Sequence, residues 1–440
     1  AGAKLPGARR TVRGAGDRPV GRRMTTPPQR LVAALDLGST KVVAVIAEVT
    51  GEAREPGAKI LGLGVERSGG IRRGVVRDIE ETTRAIERAM KSAQRMAGVE
   101  VGSIYCGLAG EHVAGRTSHG MVSVTGDEIR TGDVARVNDM ASSVSFGRDH
   151  ELLHAIPQDY LIDQQGGISE PIGMTGSRLE AEVYLVTVLS SVLLNLRKCV
   201  ERAGYQVAEF VLEPLAASLA VLTPDEIELG CAIVELGGGS TNVSIFHSGK
   251  IRHTGSLPCA GGHVTADIVH GLQVTQHDAE RLKERYGAAF EPLVPESDVF
   301  ELPSTPGQGA RNAQRRILAH IMHMRLQEVL EYALDEITRA GYHQRLPAGV
   351  IITGGGALAP GIVELAREVF AMPARCGVPG QRLRGLADSV ESPRMAVPAG
   401  LVLYGARLVA VSGGLGAGGR KSPAVEKVLA PVRRWLQDFF

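Results

Sequence analysis

No Gly-x-x-x-x-Gly-Lys-Ser/Thr segment occurs in the 440 residues, so the commonest loop for cradling nucleotide phosphates is excluded. No Cys-x-x-Cys occurs either. The five cysteines (Cys106, Cys199, Cys231, Cys259, Cys376) are dispersed and mostly lie in apolar runs, so they read as reduced core residues of a cytosolic protein. Neither sign of charge dominates, with 49 basic against 48 acidic residues, and no nucleic-acid partner is expected. No run approaches the roughly 20 apolar residues of a spanning helix, and no signal-peptide core opens the chain. Aromatic residues are scarce, at 4 %, so their placement is informative: the single tryptophan and two of the eight phenylalanines fall in the last six residues.

The length allows two or more domains with cores of their own. Residues 1–30 carry eight Lys/Arg against Asp17 alone, with five Gly and four Pro, which predicts a disordered basic arm. Three glycine-centred segments then stand far apart. Asp36-Leu-Gly38-Ser39-Thr40-Lys41 follows the apolar run Leu31 to Leu35, and Glu235-Leu-Gly237-Gly238-Gly239-Ser240-Thr-Asn242 follows Cys231 to Val234. Both resume as strand, at Val42 and Val243, and so read as hairpins. The third, Thr353-Gly354-Gly355-Gly356, follows Val350 to Ile352 and is expected to run into a helix from Pro360 to Phe370. Glycine at strand ends lets backbone N–H groups approach phosphate oxygens closely.

Two hairpins about two hundred residues apart, each led by a carboxylate, with a later glycine turn, resemble the actin and heat-shock-chaperone ATPase superfamily. The implied fold is α/β: an actin-like two-half ATPase clamp. Between the hairpins, His154-Ala-Ile-Pro157-Gln-Asp-Tyr160-Leu-Ile-Asp163 alternates like a strand. Glu170-Pro-Ile-Gly173-Met-Thr-Gly176-Ser-Arg178-Leu-Glu-Ala-Glu182 links it to a strand at Val183 to Leu189. These runs resemble the bacterial cell-division family FtsA, and the likeness extends over residues 30 to 440.

With the basic arm at 1–30, the organisation expected from this resemblance and the local patterns has six parts. Residues 31–107, 188–222 and 390–411 form the first half, and residues 108–187 an α/β subdomain inserted in it. Residues 223–389 form the second half, with 268–340 its outer part. A Gly-rich linker at 412–422 leads to an amphipathic helix at 423–440.

The resemblance implies ATP with Mg²⁺ between the halves, cradled by the amides of Gly38 to Thr40 and Gly237 to Ser240. Asp36 and Glu235 would hold the metal through its water shell, Lys41 would add a point charge, and Gly354 to Gly356 would pass close to the nucleoside. Glu280 and Lys283, one turn apart on a helix, are implied at the ribose and adenine; otherwise they form an ordinary surface pair. Glu213-Pro-Leu-Ala-Ala opens a helix, where the carboxylate either orients water for attack on the γ-phosphate or simply favours the helix dipole. Glu235 and Asn242 stand where aspartates are usual in the superfamily, so at most weak ATPase activity is expected. Arg311, Arg315 and Arg316 offer a basic patch to an acidic peptide.

In the last eighteen residues, Val428, Val432, Trp435, Leu436, Phe439 and Phe440 gather against Arg433 and Arg434, the pattern of an interfacial helix on anionic lipid. The family resemblance implies a divisome role on the cytoplasmic face of the inner membrane at the septum. Its implied partners are the FtsZ C-terminal peptide, further copies of the chain in actin-like polymers, downstream division proteins and anionic lipids. A small-molecule kinase on the same clamp, and a pilus-assembly or rod-shape actin homologue, stay open as alternatives.

Overall fold

The computed structural model describes residue 2 and residues 30–51, 56–303, 311–380 and 382–411; the expected basic arm, Gly-rich linker and terminal helix lie outside this range. Val, Ile, Ala and Leu make up nearly all of Leu31–Leu37 and Lys41–Thr50, and side chains from both faces of these strands are buried. Such strands need cover on two sides, and helices supply it.

The first sheet orders its strands Gln206–Leu212, Ser103–Leu108, Leu31–Leu37, Lys41–Thr50, Gly57–Arg67 and Leu383–Gly385. The second orders Ala374–Cys376, Val350–Thr353, Cys231–Leu236, Thr241–His247 and Lys250–Leu257. The plan is the same in both: an antiparallel three-strand meander carries two parallel strands on the outer side of its first strand. The hairpins also agree in register. Asp36 stands opposite Val43 in one, and Glu235 stands opposite Asn242 in the other.

The frames diverge in their connections. After Ser103–Leu108 the chain builds a separate four-stranded sheet, Val113–Ser123, Arg178–Leu189, His150–Ile162 and Gln165–Ile168. The helix Thr131–Ser142 covers it, and Val137, Ala141, Tyr160, Leu179 and Val183 fill a core of its own. After the matching strand Val350–Thr353 there is only a short turn and the helix Ile362–Phe370.

Two expectations need correction. The chain rejoins the first sheet before residue 390, because Leu383–Gly385 already pairs in parallel with Gly57–Arg67, Leu383 opposite Ala58. The third glycine segment does not run straight into its helix. A 3-10 turn, Gly355–Leu358, intervenes, and the helix starts at Ile362 after Gly361, whose φ of 82° is costly for other residues.

The helices Glu213–Val221 and Ala396–Val411 lie against each other, and their apolar side chains join one core with residues of both sheets, Val32 and Val45 from the first, Ile233 and Phe246 from the second. The span Pro393–Val411 is long and apolar enough to cross a membrane by length and composition, which the sequence reading did not anticipate. It is 72 % buried within the body and packs as a core helix.

Candidate functional site

The two hairpins meet tip to tip. Because their registers match, Ser39 and Thr40 of the first correspond to Gly238 and Gly239 of the second, so side chains at one tip face bare backbone at the other. The fit is close: a Cβ on Gly238 would stand 2.3 Å from Thr40 Cγ2, and one on Gly239 2.5 Å from Ser39 Oγ. Ser39 Oγ is itself held, accepting from the Arg73 N–H at 2.9 Å. The second loop is braced from behind, where the N–H groups of Gly261 and Gly262 donate to the carbonyls of Gly237 (3.1 Å) and Gly238 (2.9 Å).

Asp36 and Glu235 converge on Glu213, the first residue of the helix Glu213–Val221. Glu213 is partly buried, and desolvation, then the nearby charges of Asp36 and Glu235, hold its carboxyl well above the ordinary range. Burial likewise raises Asp36, against the pull of Lys41. Glu235 is pushed up to about 7, by burial first and then by Asp36, while the Asn242 hydrogen bond draws it down. Gly107 makes room here, since a Cβ at that position would stand 3.1 Å from Glu213 Cγ.

Lys41 reaches back from its hairpin to donate to the Arg394 carbonyl at 2.6 Å. Its pKa is lowered, chiefly by burial, although Asp36 and Glu235 both favour its charge. One ammonium cannot balance three clustered carboxylates, so the site suits either bound protons or a divalent cation. Asn242 Nδ2 donates to Glu235 Oε2 (3.1 Å), and Asn242 Oδ1 accepts from Ser256 Oγ (2.9 Å). Asp36, opposite Val43, has no cross-strand amide of this kind.

The remaining predicted residues sit around the second loop. Lys283 Nζ donates to Glu280 Oε2 (2.8 Å), to Thr265 Oγ1 (2.8 Å) and to the Gly261 carbonyl (3.3 Å), which places the pair at the start of the helix that braces the loop. Gly354 lies against the end of Cys231–Leu236: its φ is 82°, and a Cβ there would stand 2.6 Å from the Leu236 carbonyl oxygen. Gly356 is similarly close to Leu236 Cβ, whereas Gly355 faces open space.

The expected basic patch is different. Arg315 bonds Asp298 at 3.2 Å, and Arg316 bonds Glu291 at 2.9 Å and also Glu296, so acids of the same region already meet those charges. The contacts of Arg73 and Arg394 had no sequence signal, because they use backbone groups rather than side-chain chemistry.

A duplicated sheet frame with carboxylate-led glycine hairpins meeting tip to tip defines an actin-like protein. Solved structures agree at the level of fold. The PilM-PilN type IV pilus biogenesis complex matches with a TM-score of 0.59 and 15% identity, over 85% of this chain and 98% of that one. MreB5 of Spiroplasma citri bound to ADP matches with a TM-score of 0.51 and 14% identity, over 85% and 96%.

The sequence goes further. The family model for cell division protein FtsA matches residues 232–400, and that for the SHS2 domain inserted in FtsA matches residues 110–187. Cell division protein FtsA of Pseudomonas aeruginosa is 39% identical over 414 residues, 93% of this chain and 98% of that protein. Those of Neisseria meningitidis and Escherichia coli K12 are each 35% identical, over 94% and 86% of this chain and 99% and 90% of theirs. The chain belongs to the FtsA family of cell division proteins. The fold alone is shared with the PilM-PilN and MreB5 structures; the family matches are specific to FtsA.

Proposed function

We propose that the chain binds ATP with Mg²⁺ between its two halves and tethers the FtsZ ring to the inner membrane, as a peripheral protein on the cytoplasmic face at the septum. The observation that carries the nucleotide reading is the convergence of Asp36, Glu213 and Glu235 beside two interlocked glycine tips. Asp36 and Glu235 would hold the cation. Among the described residues no three His, Cys, Asp or Glu side chains stand close enough to ligate a metal directly, so its water shell would intervene. When bound, the cation supplies charge neutralisation for the phosphates and for the acidic slot.

The chain's own residues would divide the remaining work. Backbone amides of Gly38 to Thr40 and Gly237 to Ser240 would bind phosphate, Gly354 to Gly356 would border the nucleoside, and Glu280 and Lys283 would meet the ribose and adenine. Glu213 would orient water, and turnover would be slow, with ATP acting chiefly as an assembly ligand. The membrane reading rests on the sequence of residues 423–440, where Trp435, Leu436, Phe439 and Phe440 would enter the acyl boundary beside Arg433 and Arg434. The FtsZ C-terminal peptide, further copies of the chain and downstream division proteins are the proposed partners, supported by the family's cell-division name.

Sedimentation with anionic liposomes, with and without ATP and the ring protein, tests the whole reading. Full-length protein should carry the ring protein down with the vesicles, and a chain ending at residue 411 should stay in the supernatant while still binding ATP. Sedimentation of that shortened chain would remove the tail from the account.

A further inference from the structure

The strand Gln206–Leu212 runs into the helix Glu213–Val221 without a loop, and Leu212, the residue before the helix, has no side chain that can cap it. This strand is the edge of the first sheet. Its last N–H, at Leu212, still needs an acceptor, because a buried donor left alone is costly. The acceptor comes from the inserted module: Leu212 N–H donates to His154 Nε2 at 3.0 Å. Burial keeps that imidazole neutral, with a pKa lowered to about 4, so Nε2 is available as an acceptor.

His154 lies on the strand His150–Ile162, and other residues of the module share its strand or pair with it. Ile156, Tyr184 and Val186 pack in one core with Leu212 and Leu215. The same module also grips the second sheet. Asp159 accepts from Lys250 (3.4 Å) and Arg252 (2.8 Å), and the Tyr184 hydroxyl accepts from the Thr254 N–H (2.9 Å), all on the edge strand Lys250–Leu257. One four-stranded sheet therefore touches the start of the Glu213 helix and the edge strand of the second sheet.

We infer that His154 is a positioning residue for Glu213, fixing the first turn of its helix so that the carboxylate stands between Asp36 and Glu235. The inference rests on Glu213 as the water-orienting group.

The test uses the full chain with three measurements: steady-state ATP hydrolysis, ATP affinity by calorimetry, and hydrogen exchange of the amides between 212 and 216, namely Leu212, Glu213, Leu215 and Ala216. His154→Phe keeps a buried ring and removes the acceptor; His154→Gln restores an acceptor near the Nε2 position. The Phe variant should lose about tenfold in kcat with KM and affinity within about twofold, and the Gln variant should recover most of the rate. Exchange from 212 to 216 should quicken in the Phe variant alone. Should His154→Phe fail to fold, His154→Leu carries the same expectations.

A purely structural role would lower affinity along with rate and would show no recovery with Gln. That result overturns the proposal, as does a folded Phe variant with parental kcat or parental exchange. If the parent neither binds nor hydrolyses ATP, the functional reading fails by itself, and exchange at 212 to 216 still decides whether His154 holds the helix start.

Discussion

The two sheets share a five-strand plan and a hairpin register, yet their hairpins are chemically unequal. The first presents Ser39 and Thr40 at its tip and the second presents Gly238 and Gly239, so one acts as knob and the other as hole. The first leads with Asp36 opposite Val43, and the second leads with Glu235 opposite Asn242, its hydrogen-bond donor. A duplicated frame places two acids at one point, and the differing neighbours give a cross-strand amide donor to Glu235 only.

The largest effect should come from filling the hole. Gly238→Val should lower ATP affinity more than about 100-fold, since its side chain would overlap Thr40 and obstruct phosphate, while Gly38→Ala should cost less than about fivefold. Calorimetry on both folded variants checks this, and equal losses would erase the distinction between the tips. Next comes Glu213→Ala, which should lower any turnover about 100-fold and leave affinity within about threefold. Turnover at the parental rate would reduce Glu213 to a helix-start acid.

A smaller effect is expected from making the second hairpin resemble the first. Asn242→Val removes the donor to Glu235 and should weaken Mg²⁺-dependent ATP binding about fivefold, read from titrations at several Mg²⁺ concentrations. Unchanged Mg²⁺ dependence would mean that the amide does not tune the acid.

The smallest effect is a slope with pH. Asp36, Glu213 and Glu235 all titrate above the ordinary carboxylate values of 3.8, 4.5 and 4.5, so the folded chain keeps protons that the unfolded chain has released. The contribution of these acids to the stability of the ligand-free protein therefore falls as pH rises from those values through the folded range, about 7 for Glu235. The buried neutral His112 and His154 contribute the opposite slope at the acidic end, in parent and variant alike, so the readout is the difference: between pH 5.5 and 8 the thermal midpoint of Glu235→Gln should fall less, or rise more, than that of the parent. Equal pH dependence in the two proteins would contradict the burial argument.

Much of this frame was legible in the sequence because strands with β-branched runs and glycine loops leave local signals. Both hairpins, the strand His150–Ile162 and the helix Glu213–Val221 could be read that way. The three-residue return strand Leu383–Gly385 could not, since three residues carry no periodicity. Lys41 to Arg394, Arg73 to Ser39 and Leu212 to His154 were equally silent: each joins residues distant in sequence, through a backbone group that every residue possesses. Asn242 was noticed as a departure from the usual aspartate, but its bond to Glu235 needed the cross-strand register.

The helix Ala396–Val411 gives the fold a mechanical property. Its small residues let it sit deep: a Cβ on Gly400 would collide with the Ala216 carbonyl, and one on Gly405 with Val32 and Tyr105. Tension applied to the chain beyond Val411 enters the body along this helix. It meets the helix Glu213–Val221 and the strands Leu31–Leu37 and Lys41–Thr50 together. Load is thus shared in shear across the central core instead of peeling a strand from a sheet edge.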